Sequence, residues 1–435
     1  MIRTIRADGR TEFDAIARIG SRGGTPDADT ERTVREILAN VKEKGDAAVR
    51  AYGLAFDGFV PERPVIGREE MRIAFEAAAP GFREAIVRAA DNIKRYHEKQ
   101  IPAGYEQESQ NGVLLGQIVR GLSRVGLYVP GGTAAYPSTV LMNAIPAKLA
   151  GVEDLIMATP PSAQGETIGA NPNILAAAFV AGVDRAILIG GAQAAAALAY
   201  GTETVPKVDK IVGPGNVFVA AAKRLLFGIV DIDMIAGPSE ILIIADAHAN
   251  PAFIAADLLS QAEHDADAAS ILLTTEEDLA DRVGTALNAQ LERLERRETA
   301  RASIAGNGLI VVCRSEDEAV DLANHIAPEH LEILTEDPLA LLPRIRNAGS
   351  VFLGPWSPEP LGDYYAGTNH VLPTSGTAKF ASPLGVYDFV KRMSYTRYTE
   401  EALEAAKDDI IEIGNAEGLT AHVASVKIRF EGGAA

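Results

Sequence analysis

Apolar and polar positions along this chain change their spacing near residue 124. Before it they follow a helical period: Val34, Ile37, Leu38 and Val41 share a face, Gly45 stops that helix, and Asp46 is placed to cap the next. A second helical block runs from about Arg68 to Lys99, closed by Tyr96-His97-Glu98, with His97 expected exposed on a charged helix end. From Arg124 short apolar runs alternate with helices. The strands Val125 to Val129, Asp154 to Ala158, Ala186 to Ile189 and Lys210 to Val212 are separated by helices over 138–150, 173–181, 191–200 and 217–227. Such βα repetition predicts a parallel sheet covered on both faces.

A second α/β stretch begins at Glu240 and continues through Ile271-Leu272-Leu273, a long charged helix to about Ala302, Leu309 to Cys313, and Val351-Phe352-Leu353. The fold class expected is therefore α/β, with two such units in tandem. Residues 354–376 show almost no periodicity, and a Pro- and Gly-rich loop of that length inside a compact protein is usually functional. Helix returns after Thr399.

One helix carries an odd feature. Asn250 can cap it and Pro251 suits its first turn; Ile254 and Leu258 lie on its apolar face, which continues to Gln261 and His264. Side chains three apart point the same way, so an amide and an imidazole would converge. That is half of a metal site, or a buried hydrogen-bonded pair, and the spacing does not choose.

Composition narrows the function. The 435 residues are enough for two or more domains, with the apolar and charged fractions of an ordinary globular protein. A formal net charge of −18 argues against nucleic acid and anionic membranes as partners. The single cysteine, Cys313, reads as a buried strand residue and excludes a disulfide framework or a thiolate metal site. The N-terminus lacks the apolar core of a signal peptide, and a cytoplasmic protein is expected.

Three glycine turns follow successive strands: Pro130-Gly131-Gly132, Gly190-Gly191-Ala192-Gln193 and Gly213-Pro214-Gly215-Asn216. Each could be an ordinary tight turn. Together, at the strand ends where ligands bind in such folds, they suit a nucleotide or dinucleotide, although none is GxGxxG. Glu329-His330 pairs an acid with an imidazole at a helix-to-strand turn, which suits acid–base work or is merely a charged turn. Asp363 and His422 are candidates to complete a site with Gln261 and His264; two imidazoles, a carboxylate and an amide oxygen suit Zn²⁺. Spacing does not establish that they meet.

In order along the chain, Val125 to Gly132, Gly213-Pro214-Gly215-Asn216, Ala236 to Glu240, Gln261 to Asp265, Ala327 to Leu331, Gly362-Asp363-Tyr364, Thr368 to Thr374 and Ala416 to His422 resemble the motifs of the histidinol dehydrogenase family. The resemblance covers nearly the whole chain. It implies oxidation of L-histidinol through the aldehyde to L-histidine with two NAD⁺, in the last steps of histidine biosynthesis. It implies one Zn²⁺ per subunit on Gln261, His264, Asp363 and His422, gripping the substrate. His330 would take the alcohol proton and also contact substrate, and Glu329 would activate water for the second oxidation. Ser239 and Glu417 would contact substrate, while Tyr128, Gln193 and Asn216 would bind NAD. The resemblance further implies two tandem incomplete Rossmann-like domains with small N- and C-terminal extensions, in a homodimer that exchanges the C-terminal one. The divisions expected are an extension at 1–25, an α/β domain of 26–123 with 240–380 carrying most metal and catalytic residues, an NAD-binding domain at 124–239, and a helical segment at 381–435. Tyr364 follows Asp363 where relatives oxidising a sulfonated diol carry Lys, which favours histidinol. A zinc/NAD dehydrogenase for another amino or sulfonated alcohol is the alternative, and a zinc-dependent hydrolase the alternative of a different class.

Overall fold

The computed structural model describes residues 2–20, 28–109, 111–131, 136–164 and 167–431. Gly132 of the first glycine turn, and the expected boundary at residue 25, lie outside them. The chain divides into two compact units, Met1–Gln100 with Leu122–Phe389, and Ile101–Gly121 with Val390–Ala435.

The first unit opens with β1 (Arg3–Arg6) and α1 (Thr11–Gly20). In α2 (Ala28–Lys44) the face of Val34, Ile37, Leu38 and Val41 is buried, as its spacing predicts. In α3 (Asp46–Asp57) the Asp46 side chain does not cap its helix; it accepts from the Thr204 hydroxyl instead. After β2 (Val65–Gly67) the expected single helical block is two helices, α4 (Arg68–Ala77) and α5 (Pro80–His97), because Pro80 starts a new one. His97 is fully buried, not exposed: its Nδ1 lies 2.8 Å from Gln100 Oε1, which also accepts from the Val386 N–H. A polar partner supplied by the next turn makes that burial tolerable.

The chain leaves this unit for β3 (Tyr105–Glu108) and β4 (Leu114–Gly121), then returns. It continues through β5 (Arg124–Tyr128), α6 (Pro137–Leu149), β6 (Asp154–Thr159), the hairpin β7 (Ser162–Gln164) and β8 (Thr167–Gly169), and α7 (Pro172–Ala181). Next come β9 (Arg185–Leu188), α8 (Gly191–Tyr200), β10 (Lys210–Val212), α9 (Val217–Leu226) and β11 (Asp231–Ile232). Sheet order is β11-β10-β5-β6-β9-β2, parallel except for β2. Helices α2, α3, α8 and α9 share one apolar core on it, and α4 to α7 the other. Strand order reverses between β5 and β10, so a crevice opens at their C-terminal ends.

A second parallel sheet has the order β1-β14-β13-β12-β15-β16. It is built from β12 (Glu240–Ala245), β13 (Ala269–Thr274), β14 (Gly308–Val312), β15 (His330–Leu334) and β16 (Ser350–Leu353) with β1. Its helices are α10 (Pro251–Ala262), α11 (Glu277–Leu291) and α12 (Arg297–Asn307) on one face, α1 and α13 (Glu316–Ile326) on the other. The long charged helix is thus two. A short α14 (Pro338–Leu341) follows, and α15 (Glu359–Tyr364) interrupts the expected loop. Two parallel α/β layers agree with the expected fold class.

The domain divisions differ from those expected. Residues 28–97 belong with the first sheet, since β2 pairs with β9 and α2 packs on α8 and α9, while β1 of the N-terminal extension is an edge of the second. An amphipathic helix records that a face is buried, not which sheet buries it.

The second unit joins β4 to β3 and to β17 (Val390–Arg397) in an antiparallel sheet, followed by α16 (Glu400–Ala416) and α17 (Thr420–Lys427). It therefore includes residues 101–121 and starts its second segment at Val390, not 381. No helix among the described residues is long and apolar enough to cross a membrane.

Candidate active site

The acid–base candidates lie at the N-terminal edge of the second sheet, not the C-terminal edge where ligands of open α/β sheets usually sit. Helix α10 follows β12 and runs back to this edge, so Gln261 arrives where Ser239 precedes β12 and Glu329 precedes β15. His330 is the first residue of β15 rather than part of a turn, in register with Ile241. Glu329 Oε2 accepts the Glu240 N–H at 2.9 Å, and His330 Nδ1 donates to the Glu240 carbonyl at 3.0 Å. The backbone of one residue, Glu240, thus orients both side chains.

That hydrogen bond settles the tautomer. With its proton on Nδ1, His330 presents a bare Nε2, which has no hydrogen-bond partner among the described residues and lies 3.8 Å from Glu359 Oε1. Burial lowers its pKa to about 4, so the ring is neutral near pH 7 and can accept a proton. Burial also raises Glu329 well above the usual carboxyl range, helped by the charges of Glu240, Asp363 and Glu359. Glu359, 2% exposed, is pushed up to about 9 by burial and by Asp363.

Glu359 and Asp363 stand one turn apart on α15. The Glu359 N–H donates to Glu332 Oε1 at 2.8 Å, and Ser260 at the end of α10 reaches Glu359 at 3.3 Å. His330, Glu359 and Asp363 bring ligand atoms within 4.8 Å of one another. His370 Nδ1 lies 3.7 Å from Asp363 Oδ1, and His264 is close enough for its charge to act on both His330 and His370. Gln261 is 1% exposed with neither amide atom partnered among the described residues, which costs about 1–3 kcal/mol unless something fills the space. Helix α10 ends at Ala262, so His264 stands on the following turn, exposed, and not on the helical face read from the spacing. No lysine or arginine nitrogen among the described residues lies within 4 Å of Glu329, Glu359 or Asp363. Buried acids, imidazoles and an orphaned amide without a cation are a donor set that fits a metal ion.

The glycine turns stand on the other sheet. Tyr128 ends β5 and is buried; its hydroxyl accepts the Gly191 N–H at 3.1 Å. Gly191 has φ 66, and a Cβ there would lie 2.6 Å from Gln193 Oε1. Only glycine lets that amide fold over the start of α8. Gly213 (φ 108) packs against the Tyr128 backbone, and its N–H donates to Asp233 Oδ2 at 2.7 Å. Lys223, buried with Asp233 as an ion pair, donates to the Gly213 carbonyl at 2.9 Å. Asn216 caps α9, its Oδ1 accepting from the Phe218 and Val219 N–H groups. Glu417 and His422, both exposed, belong to the second unit, at the end of α16 and on α17.

Sequence reasoning missed Glu359 and passed over His370. A six-residue helix inside a Pro-rich stretch has no periodicity to read, and only the length of that stretch signalled function.

A family model described as histidinol dehydrogenase matches residues 21–430. The chain belongs to the histidinol dehydrogenase family. It is accordingly an oxidoreductase, of the family that catalyses the last steps of histidine biosynthesis. It is 52% identical to the histidinol dehydrogenase of Clostridium acetobutylicum over 98% of this chain and 97% of that one. With that of Lactococcus lactis subsp. lactis it shares 49% over 99% and 100%. The crystal structure of histidinol dehydrogenase from Elizabethkingia anophelis superposes with a TM-score of 0.92 at 36% identity, covering 99% of this chain and 98% of that one.

Proposed function

We propose that this family member oxidises L-histidinol through the aldehyde to L-histidine with NAD as hydride acceptor. The observation that carries the reading is His330: buried, neutral, held by one nitrogen and offering the other. His330 Nε2 takes the hydroxyl proton as hydride leaves, and Glu329 takes a proton from the water that adds to the aldehyde. Ser239 borders the same sheet edge and binds substrate.

Gln261, His264 and Asp363 would hold a zinc ion with His422, and Tyr128, Gln193 and Asn216 the NAD. Bound zinc supplies a fixed anchor for the substrate's imidazole and amine. The close triad of His330, Glu359 and Asp363 is the competing ligand set. We favour the first, because a His330 engaged on metal could not accept the proton, and because Gln261 has no other use for its amide.

His422 and Glu417 complete the site of the other subunit in an exchanged homodimer. Ile413 and Ile428 of the second unit are 62% and 69% exposed, apolar surface that a partner chain would cover. A biosynthetic enzyme whose cysteine is buried and free fits the cytoplasm.

The test is stoichiometry. Purified protein with L-histidinol and excess NAD⁺ should yield about two NADH per substrate, and chelation should abolish it. Absence of nicotinamide reduction by metal-replete protein overturns the reading.

A further inference from the structure

Three residues of the candidate site each have an acid beside them on the same element. Asp257 lies one turn before Gln261 on α10, Glu332 two residues after His330 on β15, and Glu359 one turn before Asp363 on α15. Four residues along a helix, or two along a strand, bring side chains to the same face. On β15 that face is turned to α10: Leu334 belongs to the core that α10 covers, while Leu331 and Ile333 belong to the opposite one.

The three acids form a chain. Glu332, fully buried, accepts the Glu359 N–H on Oε1 at 2.8 Å, and its carboxyl is hydrogen-bonded to that of Asp257. Apart from Asp257, its Oε2 has no hydrogen-bond partner among the described residues. Two carboxylates have no donor between them, so this contact carries a proton. Burial raises both acids above the usual carboxyl range, in keeping with a retained proton. Ser260 adds a second tie, its Oγ donating to the Asp257 carbonyl at 2.8 Å and lying 3.3 Å from Glu359 Oε2. Strand β15 is paired on both sides, with β12 and β16, and is the fixed member of the three elements.

We propose that Glu332 and Asp257 are positioning residues of the metal site: their hydrogen-bonded carboxyls hold α10 and α15 against β15, and so set Gln261 and Asp363 where one ion can take both. The inference rests on the zinc reading above. Ligands borne on separate helices must be held to within about 0.5 Å of the productive geometry, and neither helix end does this alone.

Zinc retention by the full-length protein against a chelator tests it without turnover. Glu332→Met removes the acceptor of the Glu359 N–H and the partner of Asp257. It should lose zinc at about 10–100-fold lower chelator concentration and raise KM for L-histidinol, with KM for NAD unchanged. Glu332→Gln keeps an oxygen for the Glu359 N–H and offers an N–H₂ to Asp257, so it should retain zinc as wild type does. This rescue separates positioning from charge, because both variants remove the same acid. Asp257→Ala, at a partly exposed position, should weaken zinc about tenfold and decides the matter if Glu332→Met fails to fold. Wild-type zinc retention in Glu332→Met or Asp257→Ala, or a Glu332→Gln as weak as these, overturns the positioning role alone. A wild-type protein that holds no zinc after purification with Zn²⁺ overturns the zinc reading and this inference with it.

Discussion

His330 and Glu329 share the Glu240 backbone as anchor, and the same burial acts on both, lowering the imidazole's pKa and raising the carboxyl's. His330→Ala should cut kcat by about 10²–10⁴-fold with zinc retained, measured by steady-state rates and metal analysis. For Glu329 the sign of the pH effect follows from its raised pKa. The base is the carboxylate, present only above that pKa, so the second oxidation should fail as pH falls while still well above the ordinary value of 4.5. Glu329→Gln should lose this limb and stop near one NADH per histidinol, read from product stoichiometry across pH. Both residues were legible as an acid next to an imidazole. Their roles were not, since the chain alone does not reveal the burial or the Glu240 carbonyl.

At the scale of elements, the glycine turn before α8 joins the fold to the proposed cofactor site. Gly191 sits where φ is positive, donates to the Tyr128 hydroxyl and lies under the Gln193 amide. Gly191→Ala should cost about 1–2 kcal/mol of stability in a denaturant titration. It should also raise KM for NAD with little change in KM for L-histidinol, because the displaced amide is one of those proposed to hold the NAD. The βα alternation and the helix faces were readable from spacing, Asn250 and Pro251 opening α10 among them. Helix α15 was not: it is held by Glu332 and Ser260 rather than by an amphipathic pattern of its own.

For the whole molecule, the proposed exchange of His422 has a clean test. Heterodimers of a His330→Ala chain with a His422→Ala chain contain one doubly damaged and one intact site if the segment is exchanged. Mixing equal amounts of the two inactive proteins under conditions of free subunit exchange should then restore about a quarter of wild-type activity, since about half of the dimers are heterodimers with one intact site of two. If each chain completes its own site, mixing restores nothing. The exposed Ile413 and Ile428 give such a partner something to bury.

Periodicity, turn residues and the order of the motifs determined that this is a tandem α/β enzyme of one family, with Gln261, Asp363, Glu329 and His330 as candidates. These signals are local, because a helix or strand writes its own buried face into the spacing of its residues. Tertiary structure alone decided that residues 28–97 cover the first sheet, that Glu359 is buried beside Asp363, and that Asp57 and Gln193 line one cavity. Those outcomes depend on contacts between separate elements of the chain, and on desolvation, which no single stretch of sequence encodes.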